Sequence, residues 1–127
     1  LFRNALSSSL VTISGTGNLA SVTFNAPSSG YVFGTATGYC NTNGAAGWLQ
    51  MSIGTASATP DSNVSEDAWI EKPASSGNEQ VPWAVNRVAS VAAGAQTWYV
   101  VYEVVSAPGW SCAGNLTVFF APSLLAP

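Results

Sequence analysis

Between Val88 and Val105 the chain reads Val-Ala-Ser-Val-Ala-Ala-Gly-Ala-Gln-Thr-Trp-Tyr-Val-Val-Tyr-Glu-Val-Val: a strand, a turn centred on Gly94, and a second strand. The second strand is apolar on both faces. Trp98, Val100, Tyr102 and Val104 point one way, and Tyr99, Val101, Glu103 and Val105 the other. A half-exposed antiparallel strand alternates apolar with polar residues, so one that does not is covered on both sides. In a small all-β chain the expected second cover is another copy of the chain.

The rest of the sequence follows the same rhythm. Gly, Pro, Ser and Thr interrupt it about every 8 to 12 residues, and no segment carries a helical period. Strands are expected at Leu10–Ile13, Ala20–Phe24, Tyr31–Cys40, Trp48–Ile53, Ala68–Ile70, Asn86–Ala92, Gln96–Val105 and Asn115–Phe120. Ala20, Val22 and Phe24 share one face, as do Leu49, Met51 and Ile53, with Trp48, Gln50 and Ser52 outward. Tyr31–Cys40 is peculiar. Tyr31, Phe33 and Tyr39 share a face with Thr35 and Thr37, opposite Val32, Gly34, Ala36, Gly38 and Cys40. A face of such small residues lets another backbone or sheet approach closely. The expected fold class is all-β: an antiparallel two-sheet sandwich of jelly-roll topology, with roughly eight to ten strands, assembling as an oligomer.

At 127 residues the chain makes one domain able to bury a core unaided, divided here into an N-terminal arm, residues 1–19, and a jelly-roll body, residues 20–127. Its cations are Arg3, Lys72 and Arg87, too few for a phosphate-binding stripe, which argues against nucleic acid as a partner. No apolar run approaches a membrane span. A polar surface built from Ser, Thr, Asn and Gly suits a secreted, cell-surface or virion protein. The start at Leu1, without Met, is expected for a processed mature form.

Two cysteines, Cys40 and Cys112, could form a reactive pair or half of a metal site, but no His completes a site and the spacing matches no zinc pattern. A disulfide from the end of an early strand to a late loop is the expected arrangement. Closing so long a loop stabilises by about 4 kcal/mol in the chain-entropy account.

Val22-Thr23-Phe24-Asn25-Ala26-Pro27-Ser28-Ser29-Gly30-Tyr31-Val32-Phe33 resembles the apolar strand, Pro, Gly, aromatic strand signature of the complement component one-q globular heads, which belong with the tumour-necrosis-factor-like jelly rolls. Val91–Val100 looks like that family's penultimate strand pair, a hairpin about Gly94, and Leu116–Pro122 like its closing strand. The resemblance spans about residues 20 to 122. It implies a compact homotrimer with aromatic strand faces packed about a threefold axis, of the kind that in bacterial and phage versions caps fibres or sits on cell surfaces. The chain departs from the family in having no Gly-X-Y stalk and no counterpart for residues 1–19. Trp98, Val100, Tyr102, Glu103, Val104, Tyr31, Phe33 and Tyr39 are the candidate interface residues, and a buried Glu103 would need Arg87 or Arg3 as its partner.

Catalysis has no footing: without His a nucleophile would need Lys72 or a carboxylate as its base, and adjacent Glu66 and Asp67 would point to opposite strand faces. No cofactor is expected. Asp61, Asn63, Glu66 and Asp67 concentrate oxygen ligands for calcium, yet the helix-loop-helix pattern fails, with Glu66 at its Gly position and Lys72 at its terminal Glu position. Of five tryptophans, Trp48 and Trp98 lie in strands as core or subunit contacts. Trp69, Trp83 and Trp110 fall in or near loops, where each either plugs the loop or contacts a glycan or protein partner. Asn63 and Asn115 head glycosylation sequons.

The arm spaces Phe2, Leu6, Leu10 and Ile13 so that it is either an ordinary first strand or a donor strand completing a neighbour's sheet. The leading expectation is therefore a non-enzymatic extracellular protein forming a homotrimeric head for adhesion or ligand recognition. The competing one is a structural subunit of a donor-strand filament or of a virion coat or fibre. A monomeric binding domain whose sandwich covers the Trp98 strand by itself is the third.

Overall fold

A computed structural model describes residues 2–6, 9–60 and 67–123. These residues form nine strands: β1 Phe2–Leu6, β2 Val11–Thr12, β3 Thr16–Ala26, β4 Gly30–Asn41, β5 Gly47–Gly54, β6 Ala68–Lys72, β7 Gln80–Val91, β8 Gly94–Ser106 and β9 Ser111–Pro122. One sheet runs β1-β9-β4-β7, with β2 also paired to β9, and the other runs β3-β8-β5-β6. The expected all-β, two-sheet jelly roll is the fold observed. With β1 and β2 counted as one broken strand, all but one of the later connections passes from one sheet to the other. The exception is β5–β6, which pair directly.

The Val88–Val105 stretch obeys this rule, and so the hairpin expected about Gly94 does not form. β7 pairs with β4, whereas β8 lies between β3 and β5. Gly94 takes a φ of 114°, a backbone state that suits glycine where the chain turns from one sheet into the other. The expected division at residue 19 falls inside β3, and the arm's strands belong to the same sheet as β9.

The core lies between the sheets. Trp98, Val100 and Tyr102 are buried in it together with Phe24, Val32, Leu49, Met51, Ile53, Leu116 and Phe120. These three, with Val104 packed against the same cluster, are core residues rather than the subunit interface expected of them. The chain itself covers only the middle of the other face of β8, where Tyr99 and Glu103 are half-buried and Val105 is exposed. Val101 is fully buried there beneath residues 55–60, where a Cβ on Gly54 would lie 3.5 Å from Val101 Cγ2 and 3.6 Å from the Thr59 carbonyl oxygen. Asn18 Nδ2 holds that segment by donating to the Ser57 carbonyl oxygen at 2.9 Å. The burial of Val101 therefore needs no second copy, while Val105 at the end of the strand stays open.

The small face of β4 points inward and admits indoles rather than another backbone. Trp98 lies 3.1 Å from where a Cβ of Gly34 would be, and Trp83 occupies the space beside Gly38 and Gly114. Cys40 and Cys112 face each other across the β4–β9 ladder and form the expected disulfide, with Cα atoms 4.1 Å apart. Cys112 is on a strand, not in a loop, because β9 begins at Ser111.

Candidate functional site

The two outer faces of the sandwich differ sharply. On the β9-β4-β7 sheet, β4 carries Tyr31, Phe33, Thr35, Thr37 and Tyr39 outward. The ladders set Pro82, Ala84, Asn86, Val88 and Ser90 on one side of them, and Ala113, Asn115, Thr117, Phe119 and Ala121 on the other. No residue in this field is charged. Phe33, at 45% exposure, sits between Val88 and Phe119, at 50% and 51%, with Tyr31 and Tyr39 also exposed. The Phe33 and Phe119 rings are 6.4 Å apart and tilted by 52°. Together with Gly34, Thr35, Asn86, Thr117 and the part-buried Arg87, whose guanidinium donates to the Ile53 carbonyl oxygen, they line a shallow depression of about 240 Å³. Strand alternation produces this face: each aromatic or Thr of β4 is separated from the next by a small inward residue. The candidate interface residues thus divide, with Tyr31, Phe33 and Tyr39 on a free face and Trp98, Val100, Tyr102 and Val104 inside.

The outer face of the second sheet carries Trp48 and Trp69. Trp48 stands opposite Glu71, and Gln50 stands between Trp69 on β6 and Glu103 on β8. The two indoles meet diagonally, 5.5 Å between centroids and tilted by 48°. Both are close to half exposed, Trp48 at 45% and Trp69 at 48%. Trp48, Glu71, Lys72, Pro73 and Ser106 line an open groove of about 560 Å³. Gln50 is buried and donates from Nε2 to Asp67 Oδ2. Glu103 is half-buried, facing Gln50 and Thr16. It is not paired with either expected arginine: the Arg87 guanidinium lies 5.5 Å from the Trp98 ring centroid and donates to the Ile53 carbonyl oxygen, while Arg3 is on β1 in the other sheet, opposite Val118 of β9.

Trp83 and Trp110 are buried, which removes them as ligand contacts. Trp83 belongs to β7 and covers Gly38 and Gly114. Trp110 packs over Gly47 and donates from Nε1 to the Ala45 carbonyl oxygen at 3.2 Å. Facing glycines were the signal for both, and they are far away in sequence. Trp48 was legible as outward from alternation, but its pairing with Trp69 depends on the β5–β6 register.

The other candidates fare unevenly. Asn115 lies within β9, half-buried, and its Oδ1 accepts from Thr37 Oγ1 at 3.2 Å, so it lacks the exposed-loop setting of a glycan acceptor. Asp61, Asn63 and Glu66 fall outside the described residues, and among those described no group of three His, Cys, Asp or Glu side chains could hold a metal. The arm is an ordinary strand pair in its own sheet: Phe2 pairs with Phe119, Leu6 with Asn115 and Val11 with Cys112. The side chains of Phe2 and Leu6 lie outside the description, Leu10 is exposed, and Ile13 is buried in the core.

No family model matches the chain, and no curated protein does. Solved structures do match. The chain is similar to a protein of the T13 IBDV viral particle at 14% identity, with a TM-score of 0.57 over 93% of this chain and 30% of that one. It is similar at 13% identity to a mutant VP2 protein of infectious bursal disease virus in T=1 particles, with a TM-score of 0.57 over 93% of this chain and 31% of that one. It therefore spans less than a third of the length of these viral proteins. The globular domain of zebrafish complement 1qA protein is similar at 11% identity, over 93% of this chain and 94% of that one, with a TM-score of 0.45. At such identities the likeness is one of fold: the complement resemblance is one among several jelly-roll likenesses.

Proposed function

We propose that this chain is a non-enzymatic structural protein of the extracellular space or of a virion, and that it self-associates through the outer face of the β9-β4-β7 sheet into a closed homotrimer serving adhesion or ligand recognition. The observation that carries this reading is the uncharged aromatic field around Phe33, Phe119, Val88, Tyr31 and Tyr39. Depletion of charge with enrichment in aromatic residues marks the centre of protein interfaces. Burying the remaining exposed half of each such side chain contributes roughly 1 kcal/mol, and none of these side chains carries a charge. A face without charge has no complementarity to offer a charged partner, whereas it fits a copy of itself. The Cys40–Cys112 disulfide suits an oxidising compartment.

The arm's position bears on the competing readings. β1 and β2 already occupy the β9 edge of their own sheet, which argues against a filament built by donated strands. A virion coat subunit is the second reading, favoured because the same fold occurs in proteins of viral particles.

Light scattering on the purified protein separates these. A closed trimer gives three times the 13.0 kDa chain mass, and Phe33→Ser with Phe119→Ser reduces it to monomer with unchanged circular dichroism. Particles of much larger mass would favour the coat reading. A monodisperse monomer in the unmodified protein would overturn both.

A further inference from the structure

The second outer face holds two tryptophans that neither the core nor the aromatic field of the opposite sheet uses. We propose that Trp48, Trp69 and Glu71 form a binding site for a neutral, hydroxyl-rich sugar, seated in the groove beside Trp48. This goes beyond the self-association reading and rests on the opposite face of the sandwich.

Three observations carry it. First, Trp48 and Trp69 remain nearly half exposed although each packs on the other, so they form a preassembled apolar surface that water still covers. An indole offers a broad apolar plane, and the C–H faces of a pyranose ring are a matching plane edged with hydroxyls. The 48° tilt prevents both indoles from lying flat on one sugar ring, so Trp48 takes the stacking role and Trp69 braces it. Second, the groove is lined by this indole and by Glu71, which stands beside Trp48 as its partner in the ladder. Its carboxylate is an acceptor for sugar hydroxyls, and hydrogen bonds to an ionised acceptor are the stronger kind. A concave, mostly apolar site with a few fixed polar groups is the usual form of a small-ligand site.

Third, charge selects the ligand class. Lys72 also lines the groove, but it is 7% exposed and its Nζ is engaged by the Pro73 carbonyl oxygen, Ser75 Oγ and Glu79 Oε2. Glu71 and Glu103 leave the face acidic. Sulfated, phosphorylated or carboxylated ligands would be repelled, while an uncharged sugar meets acceptors and an aromatic plane.

The test is a titration of the 15N-labelled protein, following its tryptophan indole signals. The probes are glucose, xylose, mannose, galactose and N-acetylglucosamine oligosaccharides, with a sulfated and a sialylated oligosaccharide as anionic counterparts. At least one neutral probe is expected to shift the Trp48 and Trp69 signals. Trp48→Ala should weaken that binding roughly tenfold or more, as for an aromatic anchor, and the isosteric Glu71→Gln should weaken it without disturbing the fold. Phe33→Ser should leave it unchanged, which keeps this result separate from the oligomer reading. Absence of any shift with the neutral probes would overturn the proposal. So would tighter binding of the anionic probes, full affinity in both Trp48→Ala and Glu71→Gln, or a change of oligomeric mass in Trp48→Ala without sugar binding.

Discussion

The indole of Trp83 on β7 lies where a side chain on Gly38 of β4 would have to go, and it continues across the sheet to Gly114 of β9. A Cβ at either glycine would also meet backbone oxygen: that of Ala113 for Gly38, and that of Thr37 for Gly114. Neither obstacle is the far end of a flexible chain. Gly38→Ala and Gly114→Ala should therefore each destabilise by about 1–3 kcal/mol, the range for overpacking a filled interior. Gly77→Ala, with nothing within 4 Å, should stay within about 0.5 kcal/mol of the parent. Urea unfolding of the three variants checks this, and equal midpoints would refute it.

The same contact shows what the sequence could and could not disclose. Alternation in β4 and β5 correctly placed Tyr31, Phe33 and Tyr39 together and Leu49, Met51 and Ile53 inward, because a period of two is local information. The small face of β4 was equally visible, but what fills it is not local: Trp83 and Trp98 arrive from β7 and β8. The Gly94 turn misled for a similar reason. Its short length suits a hairpin, yet each flanking strand finds its partners elsewhere, β7 on β4 and β8 on β3 and β5. Val101 gave a true signal of double burial, and the cover was residues 55–60 of the same chain rather than a neighbour.

Cys40 and Cys112 close a loop spanning 72 residues of sequence and bind two central strands. Their replacement by Ala should cost about 4 kcal/mol, mostly through a less restricted unfolded chain. The expected result is a large drop in thermal midpoint. The parent protein under a strong reductant should converge on the same value. A midpoint within a degree or two of the parent would contradict the chain-entropy account.

Removing residues 1–13 should uncover the β9 edge, since β1 and β2 pair with it over Phe2–Leu6 and Val11–Thr12. Unpaired strand edges promote edge-to-edge association. The truncated protein should lose stability and scatter light as heterogeneous aggregates, and a synthetic peptide of residues 1–13 should restore a discrete species by adding back as a strand. A truncated protein with unchanged mass and stability would mean that the arm contributes nothing to the sheet.

Glu79 ties an acid-sensitive contact to the groove region. Hydrogen bonding with the Ser75 side chain, then with Lys72, whose Nζ is 3.2 Å away, holds its carboxyl below the ordinary value of 4.5. A carboxyl whose folded pKa is depressed stabilises the fold above its unfolded pKa, and that stability is lost as pH falls through the folded value. Glu79→Gln should therefore be less stable than the parent at neutral pH, by a small margin because the carboxylate is half exposed. The two proteins should converge as pH falls below 4.5. Thermal midpoints of both, measured from neutral to strongly acidic buffer, check the sign. A gap that widened on acidification would show that the Glu79 contact does not favour the ionised carboxylate.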